Sequence, residues 1–198
     1  MANAGRVVIL NGVSSAGKSS IATRFQAERA EVGDCWIVLG IDDVTVKLPG
    51  QWWKQPGWDG PLSDDGVRFV PGHGGLIIEV GDVGRRLFEA YHRTVRTWAE
   101  AGFKVLVDEV AFDEAVVDDW HTALAGLDVT WVAVRCDPDV AVARERARGD
   151  RHIGLARGQS AIVHKFARYD VELDTTDQST EANVARLIEF LIGGSANT

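Results

Sequence analysis

Apolar positions follow two different periods along the chain, and the two kinds of segment take turns. Five short apolar runs rich in β-branched residues predict buried strands at residues 6–10, 35–41, 104–110, 129–135 and 169–173. Between them, helical periodicity predicts helices at residues 18–30, 76–101, 114–124, 138–148 and 180–192. Alternating strands and helices favour a parallel sheet that is covered on both faces. We therefore expect an α/β fold, a three-layer sandwich with a central five-stranded parallel sheet.

One stretch, residues 47–75, interrupts this alternation. It contains four of the five prolines, many glycines and three of the seven tryptophans, Trp52, Trp53 and Trp58. A loop of this length is uncommon in a compact domain and is usually either functional or disordered. Three tryptophans argue against disorder, because such a segment has apolar area to bury. We expect it to be a functional segment of a single domain.

Composition excludes several classes of protein. With 198 residues, of which 45% are hydrophobic, the chain can form one domain with a substantial core. A net charge of -8 argues against a nucleic-acid partner. No apolar run is long enough to span a bilayer and the N-terminus lacks the order of a signal peptide, so we expect a cytoplasmic protein with no membrane partner. Cys35 and Cys136 lie in apolar runs and are interpreted as reduced core thiols.

A phosphate-binding motif follows the first predicted strand. The sequence GVSSAGKS at residues 12–19 matches G-x-x-x-x-G-K-[ST] and precedes a predicted helix. Its glycines allow successive backbone N–H groups to point inward, and the helix presents its positive end to the phosphates. We expect Lys18 to reach the β- and γ-phosphates and Ser19 to bind Mg²⁺, whereas Ser20 caps the helix or faces solvent. The nucleotide-binding residues are then Gly12, Ser14, Ser15, Ala16, Gly17, Lys18, Ser19 and Ser20.

A second metal anchor is expected at the end of another apolar strand. Asp108 and Glu109 end the predicted strand at residues 104–110. Asp108 is the candidate to hold Mg²⁺ directly or through water, and Glu109 is a candidate to orient a substrate group. The alternative is that the two acids only cap a helix or form a turn.

Arginines accumulate between residues 144 and 157 of this otherwise acidic chain. Arg144, Arg148 and Arg151 fall on one face if the helix continues, whereas Arg146 points to the opposite side. Guanidinium groups match phosphate oxygens and neutralise the charge that develops in phosphoryl transfer. We expect an arginine-rich lid over a triphosphate, with Arg148 and Arg151 as catalytic residues. A solvated helix face is the alternative.

Two acids after the second predicted strand are candidates for a general base. Asp42 and Asp43 lie where the carboxyl ends of strands line the ligand crevice of an open α/β sheet. We favour Asp42 as the base, since it is nearer the strand, and expect Asp43 to lie beside the substrate or to cap a helix that begins near Val44. The tryptophans at residues 52, 53 and 58 then follow as a wall for an aromatic acceptor, with packing on the core as an equal alternative.

Together, these segments resemble the chloramphenicol phosphotransferase-like proteins, small P-loop kinases. The likeness covers most of the chain in the same order, through the segments VVILNGVSSAGKSS, LGIDD, VLVDEV, TWVAVRCDPDVAVARERARGDR and VHKFARYDVELDTT. It implies phosphorylation of an antibiotic hydroxyl that depends on ATP and Mg²⁺, with Asp42 at the position of the proposed base. Lys18 and Ser19 match the nucleotide loop, and the lid arginines match as well.

The same resemblance implies which residues lie beside the adenine, but it does not identify the acceptor. Thr175 and Thr176 fall in the loop that contacts the base in this family. Residues 47–75 depart from the chloramphenicol enzyme, so the acceptor does not transfer with the fold. Our leading hypothesis is a small-molecule O-phosphotransferase. The alternatives are a metabolic or nucleotide kinase and an ATP-binding switch module. A choice between ATP and GTP, and between a monomer and a homo-oligomer, stays open.

Overall fold

The computed structural model describes residues 5–54, 59–148 and 152–193. Strands and helices follow one another in an order that agrees with the predicted alternation, with a hairpin inserted after the second strand. The elements are β1 (Arg6–Asn11), α1 (Lys18–Glu31), β2 (Trp36–Gly40), α2 (Ile41–Thr45), β3 (Val67–Gly72), β4 (Gly75–Val80), α3 (Asp82–Glu100), β5 (Lys104–Glu109), α4 (Glu114–Ala123), β6 (Asp128–Arg135), α5 (Pro138–Arg148), α6 (Leu155–Ser160), β7 (Val171–Asp174) and α7 (Thr180–Gly193).

The main sheet is parallel and has five strands in the order β2-β5-β1-β6-β7. All five predicted strands are confirmed, each within two residues at either end. Asp108 is paired with Leu10 on one side and with Gly40 on the other, and Glu109 is paired with Asn11. Three neighbouring strands therefore end at the same level, which brings the loops that follow them together.

Helices cover both faces of this sheet. Because successive strand side chains point to opposite faces, Leu10 of β1 packs in one buried cluster with Phe25 of α1 and Leu187 of α7. Ile9 packs on the other face, in a cluster with Trp120 of α4 and with side chains of α3. The three-layer α/β sandwich expected from the sequence is confirmed. Among the described helices, none has the length and apolar character needed to cross a membrane.

A small antiparallel hairpin corrects two predictions. β3 and β4 pair through Phe69 with Ile78 and Val70 with Ile77, and His73 and Gly74 turn the chain with positive φ angles of 51° and 76°. The helix predicted at residues 76–101 is therefore wrong over its first six residues, because α3 begins at Asp82. The run Leu-Ile-Ile before it is too short for its apolar pattern to separate strand from helix. Residues 67–75 likewise belong to the hairpin and not to a continuous loop.

Three smaller predictions concern single positions. Cys35 is exposed immediately before β2, so its assignment to the core is wrong, and Cys136 is half-buried. The start of α5 is confirmed: the side chain of Asp137 accepts from the backbone N–H of Asp139 at 2.8 Å, which caps a helix whose first residue is Pro138.

Candidate active site

The phosphate loop lies between β1 and α1 and has the backbone shape that phosphate binding requires. Ser15 and Gly17 have positive φ angles of 61° and 91°, which turn the chain tightly ahead of the helix. The ammonium of Lys18, whose residue is 6% exposed, donates to the carbonyls of Gly12 and Val13 at 2.9 Å each. The lysine is therefore folded back over its own loop, at the position where phosphate oxygens bind.

Asp108 meets this loop from β5. The hydroxyl of Ser19 donates to Asp108 Oδ2 at 2.5 Å, and Lys18 Nζ lies 3.6 Å from Asp108 Oδ1. The pairing of β5 with β1 produces this contact, because Asp108 lies beside Leu10 just before the loop begins. A hydroxyl and a carboxylate, both hard oxygen donors, thus face the cleft together.

Glu109 is buried directly behind this pair. Its carboxylate accepts from the N–H of Val110 at 2.7 Å and from the indole N–H of Trp120 at 2.9 Å. Burial raises the pKa of Glu109 to about 7, against the opposing effect of these two hydrogen bonds. Glu109 lines the cleft at its base, so a substrate group that reached it would meet a carboxyl that is easily protonated.

Asp42 and Asp43 lie in the first turn of α2, which begins at Ile41 and not near Val44 as predicted. The carboxylate of Asp43 accepts from the backbone N–H of Gly40 at 2.8 Å and so caps the helix. Both acids line the same cleft as the phosphate loop. Asp43 therefore caps a helix, as predicted, but that helix begins at Ile41 and not near Val44.

The cleft between these groups has a volume of about 810 Å³, and its far side is apolar. Trp53 packs against Phe69 of β3 with ring centroids 5.3 Å apart, and Phe69 packs in turn against His152 at 4.6 Å. Trp53 and Phe69 form an apolar wall of the cleft, and its other apolar and aromatic lining residues are Ala22, Val38, Ile41, Val46, Val67, Ile78, Phe88, Val110, Phe112 and Leu155. Trp52 does not line the cleft, and Trp58 lies outside the described residues.

The predicted lid arginines have different surroundings. Arg148 at the end of α5 is exposed and lines the cleft. Arg144, one turn earlier, instead donates to the carbonyl of Thr175 at 2.7 Å and does not line the cleft. Arg146 is exposed. Arg151, the third arginine of the predicted face, lies outside the described residues.

The loop after β7 supports the phosphate loop from its other side. The hydroxyl of Thr175 donates to the carbonyl of Ala16 at 2.7 Å, and its methyl group faces Gly17, where an added Cβ would lie 3.6 Å from it. Thr176 accepts from the N–H of Asp137 through its hydroxyl at 2.8 Å. These threonines contact the loop and the start of α5, beside the cleft.

Sequence reasoning missed α6 and the residue it contributes. Gln159 is 2% exposed, lines the cleft and accepts the backbone N–H of Ser14 at 2.7 Å. Leu155 lies four residues earlier and therefore on the same face of the helix, toward the apolar wall. The only signal in the sequence was this helical spacing, in a segment interpreted as an arginine lid.

A cation over a glycine-rich loop, a carboxylate beside a serine hydroxyl and two further acids in the same cleft are groups that phosphoryl transfer uses. On a five-stranded parallel sheet they define a P-loop kinase. The chain belongs to the chloramphenicol phosphotransferase-like family, whose sequence model matches residues 5–191.

Individual relatives agree with this membership. The chain is 34% identical over 179 residues to proteins from two strains of Mycobacterium tuberculosis, CDC 1551 / Oshkosh and H37Rv, both with the name "Putative O-phosphotransferase". The match covers 87% of this chain and 76% of each relative.

Solved structures of kinases share the fold. The APS kinase of M. tuberculosis, solved with AMPPNP and APS, has a TM-score of 0.67 at 18% identity, over 96% of this chain and 98% of that one. A gluconokinase from Sinorhizobium meliloti 1021 has a TM-score of 0.55 at 17% identity, over 98% and 99% of the two chains. At these identities, the likeness extends to the fold alone.

Proposed function

We propose that this protein transfers the γ-phosphoryl group of ATP, with Mg²⁺, to a hydroxyl of a small molecule that carries an aromatic or other apolar ring system. The observation that carries the proposal is the composition of one cleft. Residues of the phosphate loop, Asp42, Trp53 and Phe69 all line it. A carboxylate that can accept a proton therefore shares one cleft with a phosphate-binding loop and aromatic side chains.

Nucleotide binding is assigned to the loop and to the arginines beside it. Lys18 exchanges its two backbone carbonyls for phosphate oxygens, and Arg148 adds a second cation in the same cleft. We assign Arg144, Thr175 and Thr176 to the adenine side, where they support the outer part of the loop. Arg151, outside the described residues, is proposed to join Arg148.

The residues beside the loop fit a magnesium ion. Ser19 and Asp108 offer two oxygen donors that face the cleft together, and Mg²⁺ is usually held by one or two such groups together with substrate phosphates. When bound, the ion neutralises charge on the β- and γ-phosphates. Lys18, whose Nζ lies 3.6 Å from Asp108 Oδ1, adds a cation beside these two donors.

The proposed reaction needs one general base. The acceptor oxygen forms a bond to the γ-phosphorus while the bond from that phosphorus to the β,γ-bridging oxygen breaks, and ADP leaves. Asp42 takes the proton of the acceptor hydroxyl. The carboxylate follows β2, whose last residue, Gly40, is paired with Asp108, so the base and the phosphate loop face the same cleft. Base catalysis of this kind contributes roughly 10²- to 10⁴-fold in rate.

The lining also favours one class of acceptor. Among the described residues of the cleft, the lysine and arginine side chains are Lys18, Lys54 and Arg148. Two of these are assigned to ATP, which leaves Lys54 alone for a charged acceptor. A phosphorylated metabolite would need more cations than that, whereas aromatic rings would pack on Trp53 and Phe69. Hydroxylated antibiotics with a ring system are therefore the acceptors that we infer.

The direct test is a search for the phosphorylated product. The wild-type protein is incubated with ATP, Mg²⁺ and a panel of candidate acceptors. The panel contains ring-containing antibiotics that bear hydroxyls, simple sugars and nucleoside monophosphates. Products are identified by mass spectrometry. We expect an antibiotic to gain the mass of one phosphoryl group, and Lys18→Ala to abolish this product without unfolding. Phosphorylation of a nucleoside monophosphate alone would favour a nucleotide kinase, and ATP hydrolysis without any phosphorylated acceptor would favour a switch module.

A further inference from the structure

Gln159 occupies a boundary within the cleft. It lies on α6, with the phosphate loop on one side and the apolar wall on the other, and only 2% of the residue is exposed. Leu155, one turn earlier on the same helix, faces the apolar side of the cleft. A buried amide at such a boundary needs polar partners on both of its ends, because leaving one unsatisfied carries a desolvation cost.

Only one end of this amide has a partner among the described residues. Gln159 Oε1 accepts the N–H of Ser14 at 2.7 Å, which leaves the Nε2 group directed away from that bond. Within the described part of the chain, no hydrogen bond uses Nε2. Ser15, the next residue of the loop, has a hydroxyl that is buried and also lacks a partner there. The Ser15 hydroxyl is thus buried without a partner among the described residues, and the Nε2 group of Gln159, which lines the cleft, makes no hydrogen bond to them.

Contacts on two sides of α6 hold the Gln159 side chain in its orientation. The buried carboxylate of Glu145 accepts the N–H groups of Gly154 and Ala156 at 2.7 and 2.8 Å, which holds the first turn of α6. Gly158 packs so closely on β4 that an added Cβ would lie 2.0 Å from the carbonyl oxygen of Leu76. A helix held on both sides keeps the amide of Gln159 in one place, as a binding group requires.

We propose that Gln159 is a γ-phosphate-binding residue, with Nε2 donating a hydrogen bond to the phosphoryl group that is transferred. Ser14 is the first of the loop residues that line the cleft, whereas Ser19 at the far end is assigned to the metal and Lys18 to the β- and γ-phosphates. Because the transferred phosphoryl group has to face the acceptor, a donor that lies beside both the loop and the apolar wall is assigned to the terminal phosphate, which it shares with Lys18. This inference rests on the proposed function, since it requires a bound nucleoside triphosphate.

The test compares two nucleotides that differ at the γ-phosphate. Dissociation constants for AMPPNP and ADP are measured with Mg²⁺ by calorimetry at pH 8, on wild type and on Gln159→Glu. The substituted carboxylate still accepts the Ser14 N–H, but it presents an oxygen where Nε2 was. We expect the AMPPNP affinity to fall about 10- to 100-fold while the ADP affinity stays within about twofold. Gln51→Glu, an exposed position outside the cleft lining, makes the same charge change and should alter neither.

The remaining outcomes distinguish the γ-phosphate role of Gln159 from the proposed kinase function. Equal loss of affinity for both nucleotides, or no loss for either, would overturn the γ-phosphate role while leaving the kinase assignment in place. A wild type that binds neither nucleotide would overturn the proposed function itself. Should Gln159→Glu fail to fold, Gln159→Met decides, because it has similar length without a charge. It also lacks the acceptor for the Ser14 N–H, so both affinities should fall, but the loss for AMPPNP should exceed the loss for ADP. Equal losses would overturn the γ-phosphate role.

Discussion

Two tryptophans that are adjacent in the sequence have different surroundings. The ring of Trp53 packs against Phe69 and lines the cleft. Trp52 contributes mainly through its backbone: its carbonyl accepts the N–H of Val67 at 2.8 Å, and its Cα lies so close to Gly66 that a side chain there would clash. The pair therefore offers a matched comparison of a cleft-lining ring with a neighbouring ring outside the cleft.

Trp53→Ala should weaken acceptor binding and spare ATP. Loss of a partly buried aromatic contact of this size corresponds to about 2 kcal/mol, or roughly a 30-fold rise in the acceptor KM. Steady-state kinetics with varied acceptor and varied ATP measure both constants. Trp52→Ala is the control and should leave the acceptor KM near that of wild type. Equal effects of the two variants on both substrates and on stability would assign both rings to the core.

Residues within a local motif were the ones that could be predicted from the sequence. Lys18 and Ser19 stand in a fixed spacing whose chemistry is known, and Asp108 stands at the end of an apolar strand, so their proximity follows from the sheet. Gln159 has no such spacing. Its contact with Ser14 joins residues 145 positions apart, and it depends on how α6 packs.

At the scale of elements, α6 packs directly against the hairpin β3-β4. The N–H of Leu76 donates to the carbonyl of Gly154 at 2.8 Å, and Gly75 and Gly158 allow the two backbones to approach closely. Neither element was predicted. The apolar run of β4 is too short to identify as a strand, and a helix of one and a half turns leaves little periodicity to detect.

Gly158→Ala should displace α6 and lower both stability and activity. Because the new Cβ would lie 2.0 Å from a backbone oxygen, the helix has to shift, at a cost of about 1–3 kcal/mol in the free energy of unfolding. Urea denaturation measures this change, and turnover should fall as Gln159 moves with the helix. Gly193→Ala is the control, since an added Cβ there meets nothing within 4 Å and the free energy should not decrease.

At the scale of the whole molecule, a polar network ties the segment after α6 to the sheet. Tyr169 accepts from Asn11 Nδ2 at 2.7 Å, and His164 Nδ1 lies 2.8 Å from the tyrosine oxygen. Burial lowers the pKa of His164 to about 4, with a further contribution from Arg135. The native state therefore holds this imidazole neutral at pH values where the unfolded chain would protonate it.

This difference predicts a loss of stability in acid. His164 binds a proton more weakly in the native state, so its contribution to the free energy of unfolding is complete above about pH 6.5 and decreases as the pH falls toward 4. The loss is at most about 3 kcal/mol. Urea denaturation between pH 7 and 4 should show a flatter dependence for His164→Asn than for wild type. The exposed His121→Asn should keep the wild-type slope, and an unchanged slope in His164→Asn would contradict the prediction.

The central claim is that Asp42 accepts the proton of an acceptor hydroxyl opposite the phosphate loop, and one pair of variants tests it most directly. Turnover is measured for Asp42→Asn and Asp43→Asn on an acceptor found in the product search, with AMPPNP affinity measured in parallel. The account predicts a loss of roughly 10²- to 10⁴-fold for Asp42→Asn with nucleotide binding retained. Asp43→Asn should cost far less, through its cap on Gly40. A large loss confined to Asp43→Asn, or near-normal turnover in both variants, would contradict the account.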